Sequence, residues 1–163
     1  MAGLEDLYRE IILDHYRNPR NRGELEVPPA KRAEGFNPLC GDEVVIYVDF
    51  DGTQVRDLRV GGQGCSISQS SASMMTTAVK GKSADDVRNV IRAFKAMMSI
   101  HERGLDGDGH EVDRPVLPDP EVKLGDLEAL RGVVKFPVRI KCATLSWNTL
   151  AQALDEAEAE SNV

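Results

Sequence analysis

Aromatic side chains are scarce: one Trp, three Tyr and four Phe in 163 residues. A core with so few rings has to be aliphatic, and a chain of this length buries one comfortably within a single domain spanning 1–163. Positive charge is also in deficit, with 20 Lys and Arg against 27 Asp and Glu, a formal net charge of −7. Phosphate recognition needs a cationic face, so nucleic acid is not expected as the main partner. No apolar run approaches the roughly 20 residues of a membrane span. Glu5, Asp6 and Glu10 near the start are not the pattern of a signal peptide. The expectation is a cytoplasmic protein. Cysteine is the third scarcity: Cys40, Cys65 and Cys142, widely separated and without a CxxC pair. An odd, sparse set does not make a disulfide framework. In a reducing compartment such residues are buried hydrophobes, metal ligands or reactive thiols.

Residues 4–17 carry Leu4, Leu7, Tyr8, Ile11, Ile12 and His15 at helical spacing, and Asn18-Pro19 stops the helix. His15, on the apolar stripe, is expected to be packed and hydrogen-bonded rather than a ligand. A polar connection over 20–35 allows a short strand near Arg32–Phe36. Val44 to Phe50 alternates with period two, Asp51-Gly52 signals a hairpin, and Val55 to Val60 returns as a second strand. The run Gly61-Gly62-Gln63-Gly64 lacks the spacing of a phosphate-binding loop. It instead predicts a close backbone approach that hands Cys65 to a helix start, capped by Ser66 or Ser68 and ended by Gly81.

Ser83 and Asp86 resemble a capping pair for a helix over 84–101, with a stripe from Val87 to Met98. From about 102 to 124 the pattern dissolves into Gly, Asp and Pro and reads as an acidic insertion. Asp106-Gly107-Asp108-Gly109-His110 opens like a calcium loop but lacks its later glycine and closing glutamate. Asp126 is expected to cap a short helix, 127–131, ended by Gly132. Pro137 fits the first turn of a last helix whose acidic end, Asp155 to Glu160, opposes its own dipole and should fray.

The chemistry concentrates at Asn37-Pro38-Leu39-Cys40-Gly41-Asp42. Pro38 fixes its own φ and Gly41 can take a positive one, so the chain bends and aims a thiol and a carboxylate at one point. Cys65 at a helix start, and Cys142 near another beside Arg139 and Lys141, are placed where thiolates are favoured. Three sulfurs and one carboxylate oxygen would suit tetrahedral zinc. On spacing alone, three unrelated cysteines stay an open alternative.

Three motifs together resemble the IscU/SufU group of iron–sulfur cluster assembly proteins. They are Asn37–Asp42, Gly64-Cys65-Ser66-Ile67-Ser68, and Arg139-Ile140-Lys141-Cys142-Ala143-Thr144-Leu145-Ser146-Trp147. The resemblance runs from about Leu4 to Leu154 and is closer to the SufU type. Lys141 stands where IscU-type scaffolds have histidine, and an insertion precedes the third cysteine. It implies an α+β fold: a small antiparallel sheet of about three strands with helices packed mainly on one face. It also implies zinc held by Cys40, Asp42, Cys65 and Cys142, and sulfurtransferase activity with Cys40 as acceptor. The donor would be a pyridoxal-phosphate cysteine desulfurase of SufS type, which holds sulfur as a persulfide. A SufBCD-like scaffold or another acceptor would receive the sulfur. A desulfurase histidine is expected to take the place of Cys40 on the metal at docking. Arg139 is the candidate for docking or electrostatic guidance, with a plain surface arginine as its alternative, and Thr144 and Trp147 read as packing. Three other readings stand beside this one. The same ligands, with Fe2+, could assemble a transient [2Fe–2S] cluster; the zinc could be purely structural; or the chain could be a metal-free interaction domain.

Overall fold

The computed structural model describes residues 3–27, 30–38, 40–105 and 124–161. Helix α1 (Gly3–Arg17) leads into strands β1 (Lys31–Asn37), β2 (Asp42–Asp51) and β3 (Gln54–Gln63). Helices α2 (Ser66–Val79) and α3 (Ala84–Leu105) follow, then a run of 3-10 turns over Gly125–Lys135 and helix α4 (Pro137–Ser161).

The strands form one antiparallel sheet in the order β1-β2-β3. Period-two alternation sends Ala33, Val44, Ile46, Val48, Leu58 and Val60 to one face, where they are buried. Helix α4 lies under β1 and β2, and α2 lies under β3, with α1 packed on α2. The opposite face carries exposed Arg32, Glu34, Phe36 and Glu43. Tyr47 is buried on that face too, its ring 5.9 Å below the Arg32 guanidinium. The fold is therefore the expected α+β arrangement, with helices massed on one side.

Two aromatic rings mark the centre of the aliphatic core. Phe94 and Trp147 stack with centroids 4.4 Å apart and planes at 19°, in the same buried cluster as Met74, Met75, Met98, Leu130 and Leu150.

Several expectations need correction. Strand β3 runs through Gly61 and Gly62, which read as loop. Gly62 has φ +112°, and a Cβ there would run into the Glu43 carbonyl oxygen, so only glycine lets the ladder continue. The cap of α2 is Cys65 itself, without a side-chain bond, rather than Ser66 or Ser68. Ser83 does cap α3 through the Asp86 N–H, at 3.2 Å, but the helix continues past 101 to Leu105. The insertion beyond it falls largely outside the described residues, as does the calcium-like run. Asp126 caps nothing: the turn begins after Leu124 with no side-chain bond, and the Asp126 carboxylate reaches His15 instead. Finally, α4 does not fray at Asp155. Arg88 of α3 holds Asp155 at 2.9 Å and Glu158 at 2.9 Å, and the helix persists to Ser161.

Candidate metal centre

Asp42 opens β2 and is fully buried. Its backbone faces Asn37, the last residue of β1, and the turn between them is closed by the Gly41 N–H donating to the Asn37 carbonyl at 2.8 Å. Gly41 has φ +69°, the conformation the turn demanded of it. Cys40 rides this turn and is exposed.

The β3–α2 junction brings Cys65 in from the other side. Its N–H donates to Asp42 Oδ1 at 2.9 Å, and its Sγ lies 4.0 Å from Asp42 Oδ2. Gly64 makes the approach possible. A Cβ there would sit 2.5 Å from both Asp42 Oδ1 and Ser68 Oγ. The glycine loop passes close to a side chain rather than to a phosphate.

Cys142 arrives from α4 and is buried, with Sγ 3.1 Å from Cys40 Sγ. Ligand atoms of Cys40, Asp42 and Cys142 all lie within 4.8 Å of one another, with Cys65 at their edge through Asp42. Three of the four residues singled out in the sequence are thus grouped at the end of the sheet, and the fourth, Cys65, touches that group through Asp42. Cys142 was expected near a positive helix end. It lies instead in the second turn of α4, beyond the reach of the terminal dipole. Burial first, then contact with Cys40 and Asp42 and the like charges of Cys65 and Asp42, push its thiol far above the ordinary range. As thiolates, three sulfurs beside a buried carboxylate would be a set of like charges, which a soft divalent cation offsets. The donors present fit zinc.

Arg139 and Lys141 are exposed in the first turns of α4. Among the described residues neither side chain has a hydrogen-bond or ion-pair partner, so both are free to meet another molecule. Two supporting residues escaped the sequence reading. Asn37 Nδ2 points at Cys142 Sγ from 3.7 Å. Ser71 donates to the Ala143 carbonyl at 2.5 Å and accepts the Trp147 Nε1–H at 3.0 Å. Trp147 is packing, as expected, but it is also bolted to the helix that carries Cys65. His15 is buried, with Nδ1 2.8 Å from Ser73 Oγ and Nε2 3.2 Å from Asp126 Oδ2, a packed and bonded histidine away from the centre.

The family with this arrangement of motifs is the NifU-like N-terminal domain, and it matches residues 7–143. The chain belongs to that family. Within it, the zinc-dependent sulfurtransferase SufU of Bacillus subtilis (strain 168) is 43% identical over 157 residues, covering 96% of this chain and 95% of that protein. The iron–sulfur cluster assembly scaffold IscU of Streptococcus pyogenes serotype M1 is 36% identical over 94% of this chain and 86% of its own length. Among solved structures, a SUF-system iron–sulfur cluster assembly scaffold from Fervidobacterium islandicum AW-1 superposes with a TM-score of 0.75 at 33% identity. It covers 93% of this chain and 99% of that one. The resemblance to the IscU/SufU group stated from the motifs holds, and with it a role in iron–sulfur cluster assembly. No helix among the described residues is long and apolar enough to cross a membrane.

Proposed function

We propose that this member of the family is a sulfur carrier. It would accept persulfide sulfur from a pyridoxal-phosphate cysteine desulfurase of SufS type and pass it on to a SufBCD-like scaffold or another acceptor. The observation that carries the reading is the asymmetry of the two adjacent sulfurs: Cys40 is exposed and Cys142 buried, at 3.1 Å. One sulfur of the cluster can meet a partner while its neighbour stays inside. The relation to a protein named as a zinc-dependent sulfurtransferase supports it.

The ligands would be Cys40, Asp42, Cys65 and Cys142. When bound, zinc would supply the positive charge that keeps these sulfurs thiolate and shielded from oxidation. The transfer itself belongs to Cys40. Its thiolate attacks the outer sulfur of the donor persulfide, a new bond forms from Cys40 Sγ to that sulfur, and the donor's S–S bond breaks. The electron pair leaves with the donor cysteine as thiolate. Asp42, locked by the Cys65 N–H, holds the floor of the site in place during the exchange. Arg139, exposed and free, guides docking, and Lys141 keeps the rim cationic.

The relation to a cluster scaffold supports a second reading, assembly of a [2Fe–2S] cluster on the same donors. Lys141 before Cys142 favours transfer. Desulfurase turnover of cysteine decides between them. The parent should stimulate it strongly and carry an extra sulfur on Cys40 by mass, and Cys40→Ala should do neither. Stimulation that survives Cys40→Ala rejects Cys40 as acceptor. Bound iron with acid-labile sulfide and no zinc after anaerobic purification rejects the carrier reading.

A further inference from the structure

The two closest sulfurs raise a difficulty that the transfer step does not resolve. At 3.1 Å, a sulfur delivered to Cys40 lies within reach of Cys142. If the Cys142 thiolate attacks the inner sulfur of a Cys40 persulfide, a Cys40–Cys142 disulfide forms. The bond from Cys40 Sγ to the outer sulfur breaks, and the electron pair leaves as hydrosulfide. No outside oxidant is needed, and the cargo is lost.

Asn37 differs in its relation to the two thiols. Its Nδ2 donates to Cys142 Sγ at 3.7 Å. Among the described residues no N–H reaches Cys40 Sγ. Asn37 is buried at the end of β1 opposite Asp42, and its backbone carbonyl accepts the Gly41 N–H that closes the Cys40 turn. An N–H aimed at a sulfur draws negative charge from it, and such outer contacts both orient a ligand and lower its nucleophilicity.

We propose that Asn37 is a positioning residue that ranks the two thiolates. Its amide quiets Cys142 and fixes it as the retained ligand, so incoming sulfur goes to Cys40 and stays there. This rests on the carrier reading above, and extends it from which thiol accepts to what prevents the neighbour from expelling the cargo.

The test uses the zinc-loaded full chain, treated once with glutathione persulfide. It compares the parent with Asn37→Ala and with Asn37→Asp, which keeps the shape and loses the donor. Peptide mass spectrometry locates the added sulfur and measures the Cys40–Cys142 disulfide, and released sulfide is assayed alongside. The parent should hold sulfur on Cys40. Both variants should spread it to Cys142 and raise disulfide and sulfide together, by roughly ten-fold, the lower end of what losing an outer-shell partner does. Asn37→Ser, with a short donor restored, should recover part of the selectivity. In the cobalt-loaded variants the sulfur-to-metal charge-transfer band should move to lower energy, a change that mere loosening of the turn does not predict. Asn37→Asp decides alone if Asn37→Ala fails to fold. Sulfur confined to Cys40 at the parental disulfide level in the folded variants overturns the role of Asn37 and leaves the carrier reading standing. A parent that takes up sulfur on neither cysteine overturns the carrier reading and this proposal with it.

Discussion

Gly64 shows how much of the site depends on the absence of one carbon. Gly64→Ala places a Cβ against Asp42 Oδ1 and Ser68 Oγ, and Asp42 can yield only by breaking the bond it accepts from the Cys65 N–H. Zinc affinity should fall by roughly ten-fold or more, with a modest loss of stability of about 1–3 kcal/mol. Competition titration with a chromogenic chelator and urea unfolding measure the two separately. Cys40, exposed on its turn, should behave in the opposite way: Cys40→Ala abolishes sulfur uptake while metal-free stability stays within about 0.5 kcal/mol. The candidate residues Cys40, Asp42, Cys65 and Cys142 were legible in the sequence because thiols are few, and Cys40 and Cys65 stand in a turn and at a helix start. Asn37 and Ser71 were not. An Asn or Ser has many possible partners, and only the folded positions of α4 reveal which sulfur, carbonyl or indole it meets.

Between elements, the centre depends on how α2 and α4 are fixed to each other. Ser71 joins the Ala143 carbonyl and the Trp147 indole N–H, so one hydroxyl aligns the helix that Cys65 caps with the helix bearing Cys142. Ser71→Ala leaves the buried indole N–H without its acceptor. A loss of about 1–3 kcal/mol in chemical denaturation is expected, together with weaker metal binding. Strand and helix positions followed from periodicity, and the hairpin from Asp51-Gly52. Three of the misses share a cause, a partner distant in sequence. Gly61 and Gly62 extend β3 by pairing with Val45 and Val44 of β2, and at Gly62 the Glu43 carbonyl leaves no room for a side chain. The acidic end of α4 stays helical because Arg88, about seventy residues earlier, neutralises it. Asp126 turns from its own helix start to His15, over a hundred residues away.

At the scale of the whole molecule, charge is unevenly spread. The chain is acidic overall at −7, yet α4 presents exposed Arg139 and Lys141 near the thiols and exposed Asp155, Glu156 and Glu158 towards its other end. A partner approaching the thiol end meets cations. Arg139→Glu should therefore slow association with the desulfurase by roughly ten-fold at low ionic strength, with the gap narrowing as salt rises. Stopped-flow association rates across a salt series measure it. Because the proposed ligands come from the turn before β2, β2 itself, the cap of α2 and α4, a bound ion would tie together elements spread over the chain. At a free zinc level of 100 times Kd the ion contributes about 2.7 kcal/mol, so chelation should lower Tm by roughly 5–10 °C. An unchanged Tm under chelation would leave the metal without a part in holding the protein together. The Cys40 turn has a consequence of its own. Ladder pairing between β1 and β2 stops at Asn37 and Asp42, and among the described residues the Gly41 N–H to Asn37 carbonyl bond closes the turn beyond. With Cys40 already exposed on that turn, delivery of a sulfur asks no rearrangement of the paired strands, of Asp42 or of the two helices joined through Ser71.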